Sequence, residues 1–122
     1  MNKLETKNAP GAIGPYSQGY EVNGFVYTSG QIPADPADGS IPETITAQAE
    51  QSCRNVGAIL AAAGVGFEQV FKTTCYLADM GDFAAFNEVY ARYFTSKPAR
   101  SCVAVKDLPK GVLCEIEAIA VK

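Results

Sequence analysis

Apolar positions recur at helical spacing in two stretches of the chain and gather into short extended runs elsewhere. In the first stretch, Ile45, Ala49, Val56, Leu60 and Ala63 share a stripe from which Gln48, Glu50, Gln51 and Arg54 mostly lie apart. Thr44 can cap this helix directly, with Ser40-x-x-Glu43 as a rival capping box that places Pro42 in the first turn. Gly64 ends it as a left-handed cap. A second helix, capped by Asp79 or Asp82, shows a broad aromatic face of Phe83, Phe86, Tyr90 and Tyr93, and Pro98 bars its continuation. Extended segments are predicted at 20–22 and 25–29, where Asn23-Gly24 suits a type I′ turn, and at 70–78, 100–105 and 112–121. Gly11, Gly14 and Pro15 mark one loop; Pro33, Pro36, Gly39 and Pro42 mark another. The order β-β-α-β-α-β-β predicts an α+β fold in one domain, residues 1–122, with two helices packed on one face of a mixed sheet.

The last segment has two apolar faces. Its even positions, Val112, Cys114, Ile116, Ala118 and Ala120, suit the face beneath the helices. Its odd positions, Leu113, Glu115, Glu117, Ile119 and Val121, hold three aliphatics where a solvated face would carry polar residues. Two helices cannot cover both faces, so the second is expected to be covered by another copy of the chain. Glu115 then stands at a subunit boundary, where clefts form.

Composition narrows the chemistry. With 122 residues, 48% of them hydrophobic, the chain can bury about two-thirds of its unfolded surface without staples. Its net charge of −3 and lack of a Lys/Arg run argue against a nucleic-acid or anionic-membrane partner. It has no histidine, which excludes Ser-His-Asp triads, Cys-His dyads and His-ligated metals within one chain. Cys53, Cys75, Cys102 and Cys114 form no C-x-x-C pair, so free thiols in a reducing, cytoplasmic compartment are expected. The start of the chain has no apolar signal region, and no run is long enough to span a bilayer. Gly64-x-Gly66 lacks the third glycine of a dinucleotide loop and reads as a helix stop.

Arg100 opens one strand and Glu115 lies inside a largely apolar one. A guanidinium can grip a carboxylate through two hydrogen bonds, and a nearby carboxylate can steer a water or a proton, which suits a small acid substrate. Spacing alone leaves this reading and a plain surface-charge reading both open. Cys102 shares a strand face with Arg100; without a histidine to activate it, a small buried residue whose backbone matters more than its sulfur is favoured. Tyr16 is either an aromatic wall over a cleft or a packed loop residue. Ser29 and Gly30 end a strand where Gly30 supplies either an unusual φ or a free N–H. Asn87 neighbours the aromatic stripe, with a solvent-facing amide as the default.

Ala9-Pro10-Gly11-Ala12-Ile13-Gly14-Pro15-Tyr16-Ser17-Gln18, Tyr27-Thr28-Ser29-Gly30-Gln31-Ile32-Pro33, Asn87-x-x-Tyr90, Pro98-Ala99-Arg100-Ser101-Cys102-Val103, Leu108-Pro109-Lys110-Gly111 and Glu115-Ile116-Glu117-Ala118-Ile119-Ala120 together resemble the signatures of the RidA (YjgF/Rid) family. The resemblance covers nearly the whole chain, in order. It implies a chorismate-mutase-like fold, a homotrimer with clefts between subunits, and cofactor-free hydrolysis of reactive 2-imino acids to 2-oxo acids and ammonia. By position it implies that Arg100 clamps the substrate carboxylate and Glu115 activates water. The Cys102 backbone would help hold that water or the imine nitrogen, Tyr16 would close the cleft, and Ser29, Gly30 and Asn87 would line it. The segment before Pro98 is shorter than in many relatives, which bears on cleft shape and substrate preference. A non-catalytic binder of small 2-oxo or amino acids is the alternative, and a ribonuclease a more distant one.

Overall fold

Asn23 and Gly24 adopt φ of 51° and 81°, the left-handed pair that a two-residue hairpin turn requires. They join β2 (Gly19–Val22) to β3 (Phe25–Thr28). The computed structural model describes residues 1–122. With β1 (Asn2–Leu4), β4 (Val70–Leu77), β5 (Ala99–Ala104) and β6 (Cys114–Val121), the hairpin forms one six-stranded sheet in the order β1-β2-β3-β6-β4-β5. Only β4 and β5 pair in parallel, so the sheet is mixed. The short β1 was not expected. It has only one buried side chain, Leu4, and its place rests on backbone pairing with β2, which leaves no periodic trace in three residues.

Helix α1 (Ile45–Ala62) starts at Thr44, whose hydroxyl oxygen accepts from the Ala47 N–H at 3.1 Å; the rival box around Ser40 is not used. At its end, Gly64 sits at φ 78°, its N–H donating to the Ala61 carbonyl and that of Val65 to the Leu60 carbonyl. This Schellman arrangement satisfies two terminal carbonyls. Asp79 caps a single tight turn, Met80–Asp82, which runs directly into α2 (Phe83–Tyr93).

Both helices cover the same face of the sheet. Cys53, Val56, Ile59 and Leu60 of α1 and Phe86, Val89 and Tyr90 of α2 pack with inward residues of β3, β4 and β6. Val112, Cys114, Ile116, Ala118 and Ala120 are all buried there, as the two-faced pattern predicts. Two amides off the apolar stripe of α1 are buried because they hold loops. Asn55 donates to the Ile32 and Ala34 carbonyls, and Gln48 donates to the Pro42 carbonyl while accepting from the Leu113 N–H.

The opposite face has no helix over it. Phe25, Tyr27, Phe71, Val103 and Val121 are each between 38% and 45% exposed. Phe25 meets Phe71 edge-on at 5.9 Å, and the β3/β6 register sets Tyr27 beside Ile119 and Phe25 beside Val121. Helix α1 is the longest in the chain, and no helix is long and apolar enough to cross a membrane.

Candidate active site

The Cα of Arg100 pairs with that of Thr73, a buried position, so its side chain rises on the helix-covered face near the sheet edge. There its Nη1 donates to Asn87 Oδ1 at 2.8 Å, and its guanidinium carbon lies 4.7 Å from the centre of the Tyr90 ring and 5.5 Å from that of Phe83. Tyr90 is itself fixed. Its hydroxyl shares a 2.7 Å hydrogen bond with Thr73 Oγ1, and its ring stacks on Phe94 at 4.4 Å. Burial pushes the Tyr90 phenol up to about 12, so it stays neutral beneath the cation. No carboxylate lies within ion-pair distance of Arg100. The guanidinium instead lines a solvent-open cavity of about 470 Å³ with Asn87, Tyr90, Thr95 and Lys97. A cation seated on aromatic rings, oriented by an amide oxygen and left without a counter-ion, is a receptor for an anion.

Asn87 is therefore more than a solvent-facing amide: it is half-buried at the cavity wall and its Oδ1 accepts from Arg100. Its spacing from Tyr90 places both on one helix face, and that face is turned toward Arg100. Tyr90 and Phe83, two residues of the broad aromatic face of the helix, form the seat of the guanidinium. The Asn87-x-x-Tyr90 spacing was the available signal, but it acquires meaning only once β5 is known to lie beside α2.

Cys102, two residues after Arg100, is half-buried and packs against the core. Burial raises its thiol, only partly offset by Arg100, so it is protonated at neutral pH and is not a ready nucleophile. All four cysteines are free thiols, and burial pushes Cys75 and Cys114 up to about 12 and Cys53 higher still. Strand β5 is the sheet edge, so part of its backbone around Cys102 carries no strand partner.

Glu115 pairs with Tyr76 and stands on the uncovered face. Gln31 bridges to Ile116 by hydrogen bonds of 2.7 and 3.2 Å in opposite directions, which brings Gly30 against the Glu115 side chain. A Cβ on Gly30 would overlap the carboxylate and lie 2.9 Å from its Cδ. The φ of Gly30 is not in the left-handed region, so glycine is needed here for close approach and not for an unusual backbone angle. Burial, and secondarily the charge of Glu117, raise the Glu115 carboxyl above its ordinary value. Glu117 accepts a hydrogen bond from the Tyr76 hydroxyl at 2.9 Å.

Ser29 donates its hydroxyl to the Ser17 carbonyl, and its N–H donates to the Gln18 carbonyl at 2.8 Å. These bonds tie the loop that carries Tyr16 to the end of β3. Tyr16 is 55% exposed and lines a cavity of about 210 Å³ with Gly30, Ile13 and Lys110. The buried Gln18 side chain anchors the preceding segment, donating to the Thr6, Ala9 and Pro10 carbonyls and accepting from the Thr6 N–H.

The predicted residues thus fall into two groups. Arg100, Asn87 and Cys102 occupy the helix-covered side; Glu115, Gly30, Ser29 and Tyr16 gather at the uncovered face and the loop beside it. Within one chain Arg100 and Glu115 project from opposite faces of the sheet and do not meet. A cleft holding both would require a second copy of the chain.

Residues 6–122 match the family model described as endoribonuclease L-PSP. The chain is 51% identical over 123 residues to a protein of Salmonella typhimurium named 2-iminobutanoate/2-iminopropanoate deaminase, covering 98% of this chain and 96% of that one. It is 50% identical over the same shares to the protein of that name from Escherichia coli K12. Among solved structures, E. coli TdcF with bound serine superimposes with a TM-score of 0.97 at 48% identity, covering 100% of this chain and 99% of TdcF.

Proposed function

Because the chain belongs to the endoribonuclease L-PSP family, known also as YjgF/RidA, we propose that it is a hydrolytic deaminase converting reactive 2-imino acids, such as 2-iminobutanoate and 2-iminopropanoate, to 2-oxo acids and ammonia. The observation that carries the reading to the residues is Arg100, a guanidinium with no counter-ion, held by Asn87 over Tyr90 at the wall of an open cavity. It binds the carboxylate that every 2-imino acid carries. That leaves the electrophilic imine carbon to be set before Glu115 of a neighbouring copy, in a homotrimer with clefts between subunits. The apolar residues around Glu115 supply the surface for such an assembly. The four free thiols suit a cytoplasmic location.

In the proposed reaction Glu115 takes a proton from a water as the water oxygen bonds to the carbon of the protonated imine, giving a neutral carbinolamine. Glu115 then passes the proton to nitrogen, the C–N bond breaks as the C=O bond forms, and the hydroxyl proton goes to Glu115 and leaves with ammonia as ammonium. A carboxyl raised above its usual value accepts the proton from water at less cost than an ordinary carboxylate. Tyr16 covers the cleft, Gly30 lets the carboxylate approach, and the backbone near Cys102 holds the water or the nitrogen. Protonation of Glu115 removes the base, so activity falls on acidification. The inflection lies above the ~4.3 of a free glutamate, and its absence from the kcat/KM profile would remove Glu115 from this role.

The test is a coupled assay. Threonine dehydratase generates the imine, semicarbazide competes for it, and 2-oxobutanoate release is followed with and without the protein. Faster release is expected; a rate equal to the spontaneous one with folded protein would overturn the reading. In the same assay Gly30→Ala should lower kcat/KM by about tenfold or more with little change in circular dichroism, since the added methyl displaces the carboxylate and not the fold. Full activity in Gly30→Ala would show that the position of Glu115 is unimportant.

A further inference from the structure

We infer that Lys97 is a specificity residue that, with Arg100, favours substrates bearing a second carboxylate, namely the imines of acidic amino acids such as 2-iminosuccinate and 2-iminoglutarate. The inference rests on the deaminase reading for the reaction, but its binding component stands separately. Lys97 and Arg100 line the same cavity, whose wall also includes Asn87, Tyr90, Thr95 and Pro98 and contains no acidic residue. Neither cation takes part in any ion pair of the chain, and the Lys97 ammonium has no hydrogen-bond partner. Two uncompensated positive charges in one concave site focus a field that a monoanion satisfies only by half.

The backbone around Lys97 is fixed. Phe94 is buried, the Lys97 N–H donates to its carbonyl at 3.2 Å, and the Ser96 hydroxyl donates to the Val70 carbonyl at 2.6 Å. The turn holds Lys97 at φ 52°, a region where glycine would sit without strain, yet a long cationic side chain occupies it. Arg100, the second residue of β5, follows three residues later, so the two Cα atoms lie within about 10 Å. The rigid guanidinium takes the carboxylate common to all 2-imino acids. The flexible ammonium, tethered at the mouth, reaches whatever the substrate side chain presents.

The test separates binding from turnover. Calorimetry would compare 2-oxoglutarate with 2-oxobutanoate, stable analogues with and without the second carboxylate, in the wild type and in Lys97→Gly and Lys97→Arg. Glycine fits the positive φ, so that variant folds. Lys97→Gly should weaken 2-oxoglutarate about fivefold while leaving 2-oxobutanoate within twofold, and Lys97→Arg should retain the preference. The same ratio should appear in kcat/KM for imines generated from glutamate and from 2-aminobutanoate by an amino-acid oxidase. Equal effects on both ligands, or none on either, would overturn the role of Lys97. Selective binding without turnover of either imine would uphold the role and overturn the deaminase reading instead.

Discussion

Arg100→Ala is expected to lower kcat/KM for 2-iminobutanoate by about 10³-fold while leaving the fold intact, a loss of about 4 kcal/mol in transition-state binding. The size follows from the surroundings. The guanidinium is the cation at the cavity wall fixed by Asn87 and by two aromatic rings, with no acidic neighbour to share its charge. Removing it deprives the substrate carboxylate of a paired hydrogen-bond donor and leaves the imine carbon unplaced. Its structural share is small, because the side chain is only partly buried and contributes cation–π contacts of about 1 kcal/mol, which corresponds to a melting shift of roughly 4 °C. Arg100→Lys should recover little, since an ammonium cannot bond Asn87 and both carboxylate oxygens in one plane. Steady-state kinetics with a melting curve decide it: a well-folded Arg100→Ala protein with near-normal turnover would sink the mechanism.

Glu115→Gln is expected to cost about 10³-fold in kcat while 2-oxobutanoate still binds, because the amide keeps the shape and loses the base. Normal turnover by Glu115→Gln would assign the proton transfers elsewhere, and absence of turnover in the wild type as well would favour a binding protein. Stability gives an independent sign. A carboxyl whose folded value is raised contributes stability that is full below its unfolded value and lost as pH rises through the folded one. At neutral pH Glu115→Gln should therefore melt no lower than the wild type, and any gain should vanish on acidification. A third readout tests the division of the site between copies. Arg100→Ala and Glu115→Gln homomers are each inactive. Unfolded together in equal amounts and refolded, they should regain about a quarter of wild-type activity, since one site in four would draw Arg100 and Glu115 from the two unmutated halves. No recovery would place both residues in one chain's cleft, contrary to their positions on opposite sheet faces.

Local signals made most of the elements legible. Asn23-Gly24, Thr44, Gly64 and the alternation from Val112 onward each state a backbone angle, a cap or a face, and each is used as written. Elements defined by a partner were not legible. Strand β1 exists through its pairing with β2, and β6 inserts between β3 and β4 although no local feature of its sequence names those neighbours. At the site, Arg100 and Glu115 stood out because charges at strand positions are unusual. Asn87 and Gly30 misled for the same reason in reverse. An amide on a helix and a glycine at a strand end have ordinary explanations, and only the tertiary approach of Arg100 to one and Glu115 to the other replaces them.

In the proposed assembly, the opposite placement of Arg100 and Glu115 would also set how output scales with abundance. Under the proposed mechanism a newly made chain would carry the whole set of groups and no working centre, and would be chemically silent until it found its neighbours. At low abundance the rate per milligram would fall steeply on dilution instead of staying constant. A cell producing too few copies would lose the activity as a threshold, well before it lost the protein.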